Sequence, residues 1–270
     1  MLKLAFVLML AAGVTAQERA PIGKGVNFYS KEKEAALGAE LAKEVRRTNQ
    51  VLASERARLY VERIGRDLAA QLPELSPAFT FEILAGAGDS MREPYALPGG
   101  HVFVPAGLFF GAENEAELAG LLAHAMAHAA ARHATRLATR GQLIEQAGIP
   151  LINMGGWGGK QAALPLAFLS IQRRFELEAD GIALPMMARA GYDPSALLRY
   201  VDRVQVDEKI RLHSAVPARD ERIDKIKRAI ADLPARVYTG DNIEFEHVRA
   251  EVRALEAQAV KPPEPPSLRR

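Results

Sequence analysis

The chain has 270 residues, of which 49% are hydrophobic and 25% are charged, so it can bury the core of one globular domain. Lysine and arginine exceed aspartate and glutamate by only two (35 against 33), and the basic residues are scattered. This balance argues against nucleic-acid binding, because no basic stripe is present to attract phosphates. There is no cysteine, so the fold depends on packing and not on disulfides.

Residues 1–16 have the pattern of a cleavable secretory signal peptide. Lys3 is followed by an apolar run and by Val14-Thr15-Ala16, a small-x-small cleavage site before Gln17. The apolar run is shorter than the ~20 residues that cross a bilayer, which makes a retained membrane anchor the weaker alternative. The sequence predicts a periplasmic or secreted protein whose mature domain covers residues 17–257.

Two helices are expected at the start of this domain. Ser30 and Ser54 are the predicted N-caps, because a serine hydroxyl accepts a hydrogen bond from a free backbone N–H of the first turn. The second helix is expected to bury Leu59, Ile64 and Leu68 on one face.

A small antiparallel sheet and one long helix should follow. Residues 79–83 alternate between apolar and polar side chains, a second strand should end at residues 95–96, and the turn at residues 97–100 leads into a strand over residues 101–104. Residues 113–140 are rich in alanine and leucine, with acidic residues early and arginines late, which predicts a single helix.

The later part of the chain is predicted to be mainly helical. Residues 149–165 are glycine-rich and predict a mobile loop; it could serve as a lid or as a peripheral membrane contact, or be an ordered surface connection with a packed Trp157. A helix over residues 166–190 and another capped by Ser195 should come next. The proline-rich residues 258–270 predict a disordered tail.

A metal site is the main chemical hypothesis. His124 and His128 are four residues apart, so both rings leave one face of a helix and can share a tetrahedral ion, although such a pair alone is more often packed core. Glu176 is the candidate third ligand. Asp180, one turn later, would accept the ring N–H of one histidine. Glu178 points elsewhere and is expected on a solvated charged face.

Several short motifs occur in a fixed order between about residues 30 and 230. They are Leu97-Pro98-Gly99-Gly100, Glu115-Ala116-Glu117-Leu118-Ala119, His124-x-x-x-His128, Arg132-His133, Glu176-x-x-Ala179-Asp180 and Gly191-Tyr192-Asp193-Pro194. Together they resemble the gluzincin zinc metallopeptidases, the family of the CAAX prenyl protease and the periplasmic beta-barrel-assembly-enhancing protease. The resemblance implies an α+β, mostly helical zincin-like domain whose active-site helix carries the paired histidines.

The resemblance also implies a zinc endopeptidase that acts on misfolded or outer-membrane proteins, with one Zn²⁺ bound by His124, His128 and Glu176. The family motif is His-Glu-x-x-His, and here its glutamate is replaced by Ala125. A methyl group accepts no proton, so the general base is missing. The favoured hypothesis is therefore a zinc-binding pseudopeptidase that holds unfolded or outer-membrane client polypeptides. The alternatives are an active zinc endopeptidase and a metal-free helical structural protein.

Other positions also differ from the family pattern. Pro94 lies where the family has an Asn-Ala-Phe edge strand, and it removes a backbone donor that could bind substrate. Val216 replaces a histidine, while His213 lies three residues earlier. Glu93 could be a relocated base or a fourth ligand. His133 follows His124 by nine residues, half a turn out of phase on one helix, which predicts a surface or supporting role and not ligation.

Overall fold

The structure, a computed structural model, describes residues 22–73, 76–86, 93–146, 152–155, 161–164, 166–205, 216–238 and 243–259. The predicted signal peptide, Trp157, His213 and most of the predicted tail lie outside these residues. The helices of the described part are Lys31–Thr48 (α1), Glu55–Ala69 (α2), Ala106–Gly111 (α3), Glu115–Ala130 (α4), His133–Gln146 (α5), Leu166–Ala190 (α6), Ser195–Val204 (α7), Arg219–Ala231 (α8) and Ile243–Ala259 (α9). Its strands are Gln50–Val51 (β1), Thr80–Ala85 (β2), Tyr95–Ala96 (β3), His101–Pro105 (β4), Ile152–Gly155 (β5) and Gln161–Leu164 (β6).

The predicted α+β, mostly helical class is confirmed, but the sheet is mixed and not antiparallel. Its order is β1-β2-β4-β3, and β2 runs parallel to β4 while β1 and β3 pair antiparallel with their neighbours. In the sequence β3 lies between β2 and β4, and because it pairs antiparallel with β4 at the sheet edge, β4 runs in the same direction as β2. The turn before β4 needs positive φ angles, which Gly99 (79°) and Gly100 (95°) supply.

Both predicted serine caps of the first helices are confirmed. Ser30 accepts a hydrogen bond from the backbone N–H of Lys33, and Ser54 accepts one from that of Ala57. The prediction that Leu59 is buried is wrong, because its side chain is 48% exposed while Ile64 and Leu68 are fully buried. Five residues separate positions 59 and 64, which places them about 140° apart around the helix.

The single helix predicted over residues 113–140 is also wrong, because the chain breaks between α4 and α5. Arg132 lies at the break with φ 59°, a left-handed conformation that costs an ordinary residue about 1–2 kcal/mol. Distant contacts offset this cost: the Arg132 guanidinium pairs with the buried carboxylate of Glu34 and donates to the backbone oxygen of Tyr29 at 2.6 Å. Composition favours helix throughout, but tertiary contacts decide where it ends.

Other boundaries of the second half differ from prediction. The helix over residues 166–190 is confirmed, whereas Ser195 is the first residue of α7 and not its cap; Pro194 is the cap and the carboxylate of Asp193 accepts from the Ser195 N–H at 2.9 Å. Residues 149–165 are not simply an irregular loop, since β5 and β6 form an antiparallel pair. The predicted tail begins two residues too early, because α9 ends at residue 259.

The core surrounds α4. Its leucines and Met126 are buried on several sides, where α4 packs against α2, α6 and α7. Asn114 caps the helix by accepting from the Glu117 N–H at 3.0 Å. The close packing of α4 against α6 brings the histidine pair next to Glu176. Within the part of the chain that the structure describes, none of the helices has both the length and the apolar character needed to span a membrane.

The segment over residues 22–30, here called the N-terminal strap, lies across α5. The Asn27 amide donates to the hydroxyl of Thr135 at 2.9 Å, and the Phe28 N–H donates to the hydroxyl of Thr139 at 3.0 Å. Arg136 donates to the backbone oxygen of Lys24. The strap therefore fixes the start of α5 against the rest of the domain.

Candidate metal centre

His124, His128 and Glu176 lie together, with one ligand atom from each residue within 4.8 Å of the others. The Nε2 atoms of the two histidines are 3.1 Å apart. The Glu176 carboxylate lies 3.2 Å from His124 Nε2 and 3.6 Å from His128 Nε2. The α4 and α6 helices thus present two imidazole nitrogens and a carboxylate to one point.

The donor set and its spacing suit zinc. Zinc–nitrogen and zinc–oxygen bonds of about 2.0–2.1 Å in a tetrahedron separate neighbouring ligand atoms by about 3.3 Å. The two Nε2 atoms are 3.1 Å apart, and Glu176 approaches His124 through Oε2 at 3.2 Å and His128 through Oε1 at 3.6 Å, so each closest contact is near this value. Two histidines and one carboxylate are also the ligand types of hydrolytic zinc sites that keep a fourth position open. The three residues can therefore hold Zn²⁺ with little rearrangement.

Asp180 holds His124 from behind. Its Oδ1 lies 2.8 Å from His124 Nδ1, so the ring donates through Nδ1 and leaves the Nε2 lone pair for the metal. Arg222 in turn donates to Asp180 through Nε (2.8 Å) and Nη2 (3.0 Å). Asp180 and Arg222 are both almost completely buried, so each charge depends on the other.

The charges of the site reinforce one another. Burial alone would lower the pKa of His124, but the carboxylates of Asp180 and Glu176 outweigh it and raise that pKa to about 10. Burial would raise the pKa of Glu176, yet the two histidines hold it far below its usual range. A divalent cation would replace the proton on His124 and keep the same attraction to Glu176.

Ala125 lines the cleft beside the two histidines. The cleft has a volume of about 300 Å³ and lies between α4, α6 and the segment that includes β3. Ala125 is 2% exposed and lines the cleft together with His124 and His128. The side chain of Ala125 offers no proton acceptor, so position 125 provides no general base for hydrolysis.

Glu93 and Pro94 line the same cleft. Glu93 is solvent-exposed and Pro94 is buried, directly before the edge strand β3. This edge is the natural place for an extended polypeptide to add a strand, and Pro94 contributes no N–H to it. Val216, the other departure from the family pattern, is 41% exposed at the border of the described residues.

His133 and Glu178 are the residues that sequence reasoning misplaced. His133 is 3% exposed, and its Nδ1 lies 3.1 Å from Nδ1 of His128, so a surface position is wrong and the supporting alternative remains. Glu178 is only partly solvated as expected, because its side chain is 32% exposed but its carboxylate also lies 3.3 Å from both His133 and Arg136. The half-turn phase argument failed because α5 is a separate helix. The sequence feature that could have indicated a role for His133 was its position beside Arg132 at the end of an alanine-rich run.

Burial makes His133 a neutral ring at ordinary pH. It lowers the pKa of His133 to about 4, an effect that the nearby Glu178 carboxylate only partly offsets. Phe175 stacks on the ring with centroids 4.2 Å apart and planes 5° from parallel. His133 is thus an immobilised, uncharged imidazole directly behind a metal-facing histidine.

The fold and the site define a metallopeptidase-like domain. The sequence profile of peptidase family M48 matches residues 55–230, and the chain belongs to that family of zinc-dependent metallopeptidases. The chain is similar to the "Beta-barrel assembly-enhancing protease" of Yersinia pestis, with 24% identity over 186 residues, which cover 64% of this chain and 38% of the relative. It is also similar to the "Putative beta-barrel assembly-enhancing protease" of Vibrio cholerae serotype O1, with 28% identity over 163 residues, covering 54% and 32% respectively. The matched region therefore spans well under half of each relative.

Proposed function

We propose that this chain is an exported zinc-binding member of family M48 that acts on misfolded or outer-membrane proteins with strongly reduced or no peptide hydrolysis. One observation carries the proposal: the buried methyl group of Ala125 lines the cleft beside three convergent metal-ligand side chains. A domain with the ligands but no base is suited to holding a polypeptide and poorly suited to cutting it.

The chemistry of the site follows from its residues. Zinc held by His124, His128 and Glu176 supplies a Lewis acid and lowers the pKa of bound water. Asp180 keeps the His124 ring oriented for this task. Ala125 can neither accept a proton from water nor pass one to a leaving amine, and general acid–base catalysis is worth about 10²–10⁴-fold in rate. Glu176 cannot replace it, because its carboxylate is needed as a ligand.

The names of the two relatives and the shape of the cleft support polypeptide clients. Both relatives are named for enhancing beta-barrel assembly, which favours unfolded or outer-membrane proteins as the client class. The cleft is open and lies beside the edge strand β3, where an extended chain can bind. We place this activity in the periplasm or outside the cell, on a mature domain over residues 17–257. Peripheral membrane contact through residues 149–165 belongs to the same proposal.

An active zinc endopeptidase is the second candidate function. It is favoured by Glu93, a carboxylate that lines the same cleft and could act as a relocated base or fourth ligand. Replacing Glu93 with glutamine tests this directly. If Glu93→Gln abolishes cleavage that the wild-type chain carries out, the second candidate is correct; unchanged cleavage and unchanged zinc affinity remove Glu93 from the site.

Restoration of the base is the deciding experiment. We expect the wild-type chain to cleave unfolded casein near background and Ala125→Glu to cleave it at least ~10²-fold faster, while both bind one zinc ion. Ala125→Gln is the matched control, since it has the same length without a base and should remain near background. Brisk cleavage by the wild-type chain that Ala125→Glu does not exceed would refute the proposal.

Two further measurements complete the test. Metal analysis of the purified chain should give about one zinc per molecule, and Glu176→Gln should reduce it; a zinc content near zero would instead favour a metal-free helical protein. Fluorescence anisotropy with a labelled unfolded polypeptide should show that the wild-type chain binds it. The bound polypeptide should remain uncleaved. Absence of binding would contradict the client-holding role.

A further inference from the structure

The ring nitrogen of His128 that does not face the metal site contacts another histidine, the buried His133. His128 turns Nε2 toward His124 and Glu176, while its Nδ1 lies 3.1 Å from Nδ1 of His133. Two ring nitrogens at this distance share one hydrogen, so one donates and the other accepts. If His128 ligates a metal through Nε2, its Nδ1 carries the hydrogen and His133 must be the acceptor.

His133 is held in the orientation that this role requires. Its ring stacks on Phe175, which also carries the guanidinium of Arg136 at 4.6 Å from the ring centroid. With Nδ1 as the acceptor, His133 carries its hydrogen on Nε2, and that atom faces the Glu178 carboxylate at 3.3 Å. Arg136 lies 3.3 Å from the same carboxylate. The donor Nδ1 of His128 thus faces the acceptor Nδ1 of His133, and the Nε2 hydrogen of His133 faces the negative charge of Glu178.

His133 is not itself a metal ligand. Among the described residues, the group whose ligand atoms converge within 4.8 Å consists of His124, His128 and Glu176. The nitrogen of His133 nearest to this group meets Nδ1 of His128, on the far side of that ring from Nε2. His133 therefore acts on the metal only through His128.

We propose that His133 is a positioning residue for metal binding: it accepts the Nδ1 hydrogen of His128 and so directs the Nε2 lone pair of His128 at the ion. The charge of Glu178, whose carboxylate lies 3.3 Å from Nε2 without hydrogen-bond geometry, favours the hydrogen on that nitrogen and hence the accepting tautomer of His133. The inference rests on the zinc site of the proposed function. The two ligand histidines are then oriented differently, His124 by the carboxylate of Asp180 and His128 by a neutral imidazole backed by a carboxylate.

Zinc affinity of purified variants tests the proposal. His133→Phe keeps an aromatic ring to stack on Phe175 but accepts no hydrogen bond, and it should weaken zinc binding about 10–100-fold in competition with a chromophoric chelator. His133→Asn places an amide oxygen near the present position of Nδ1 and should recover most of that loss. His247→Phe, a change at an exposed histidine on α9, is the matched control and should leave affinity unchanged.

The tautomers provide a readout independent of affinity and of variant stability. In ¹⁵N spectra of the zinc-loaded wild-type chain, His128 should have a protonated Nδ1, while His133 should have a bare Nδ1 and a protonated Nε2. A protonated Nδ1 on His133, or a folded His133→Phe that binds zinc within twofold of the wild type, would overturn the inference alone. A wild-type chain that binds no zinc would overturn the metal site and this inference together, whereas efficient cleavage by the wild-type chain would affect only the pseudopeptidase proposal.

Discussion

Replacing Asp180 with asparagine removes the negative charge that the buried guanidinium of Arg222 faces. The two side chains are each only 3% exposed and share two hydrogen bonds of 2.8 and 3.0 Å. Asparagine keeps the size and an acceptor for His124, so the main change is the loss of the negative charge that faces Arg222 and, in the metal-free protein, protonated His124. Breaking a buried pair from one side costs about 3–5 kcal/mol, and we expect Asp180→Asn to lower the free energy of unfolding by that amount.

The assay is urea unfolding in the presence of a chelator, followed by circular dichroism, so that zinc does not contribute. Arg222→Met should also be destabilising, whereas Asp180→Asn combined with Arg222→Met should recover much of the loss, because the buried guanidinium and the carboxylate it faces are then removed together. Asp224→Asn makes the same chemical change at a 63%-exposed carboxylate and should change stability by less than about 0.5 kcal/mol. Strictly additive losses, or a loss below about 1 kcal/mol for Asp180→Asn, would refute the reasoning.

Three further changes test other parts of the fold, each by urea unfolding. Gly38→Ala should cost about 3 kcal/mol or more, because a Cβ atom there would lie 1.7 Å from the backbone oxygen of Pro98; a near-neutral result would contradict this close approach. Ser54→Ala should cost about 1–2 kcal/mol, since it removes the cap of α2 and a hydrogen bond to Glu251, and a neutral result would show that water replaces both. Burial raises the pKa of Glu178, but its close contacts with His133 and with the Arg136 guanidinium hold that pKa at about 2, below its usual 4.5. The stability from Glu178 is therefore present above about pH 4.5 and lost as the pH falls toward 2, so Glu178→Gln should lose less stability between pH 5 and pH 3 than the wild type; parallel losses would exclude this contribution.

The ligand pattern could be predicted from the sequence because it depends on local periodicity. A spacing of four on a helix puts His124 and His128 on one face whatever surrounds them, and the same argument relates Glu176 to Asp180. The contact between the two helices was only an expectation from the family resemblance. The partner of Asp180 could not be chosen at all, because Arg222 is 42 residues away and reaches it only after α6 and α8 have packed.

The errors arose where distant residues decide local structure. Alternating side chains identify a strand but carry no information about its direction, so the parallel pairing of β2 with β4 was missed. Alanine-rich composition favours one continuous helix, and only the contacts of Arg132 with Glu34 and Tyr29 place the break. That break changes the direction of the chain and turns His133 toward the site.

The N-terminal strap limits how far the N-terminus can be shortened. Its hydrogen bonds reach Thr135, Arg136 and Thr139, on the helix that begins with His133. A chain that began at Lys31 would keep the sequence of each described helix, but it would lose the Ser30 cap of α1 and the outer support of α5. Removal of residues beyond position 23 would begin to break these contacts, well ahead of α1, the first helix of the described residues.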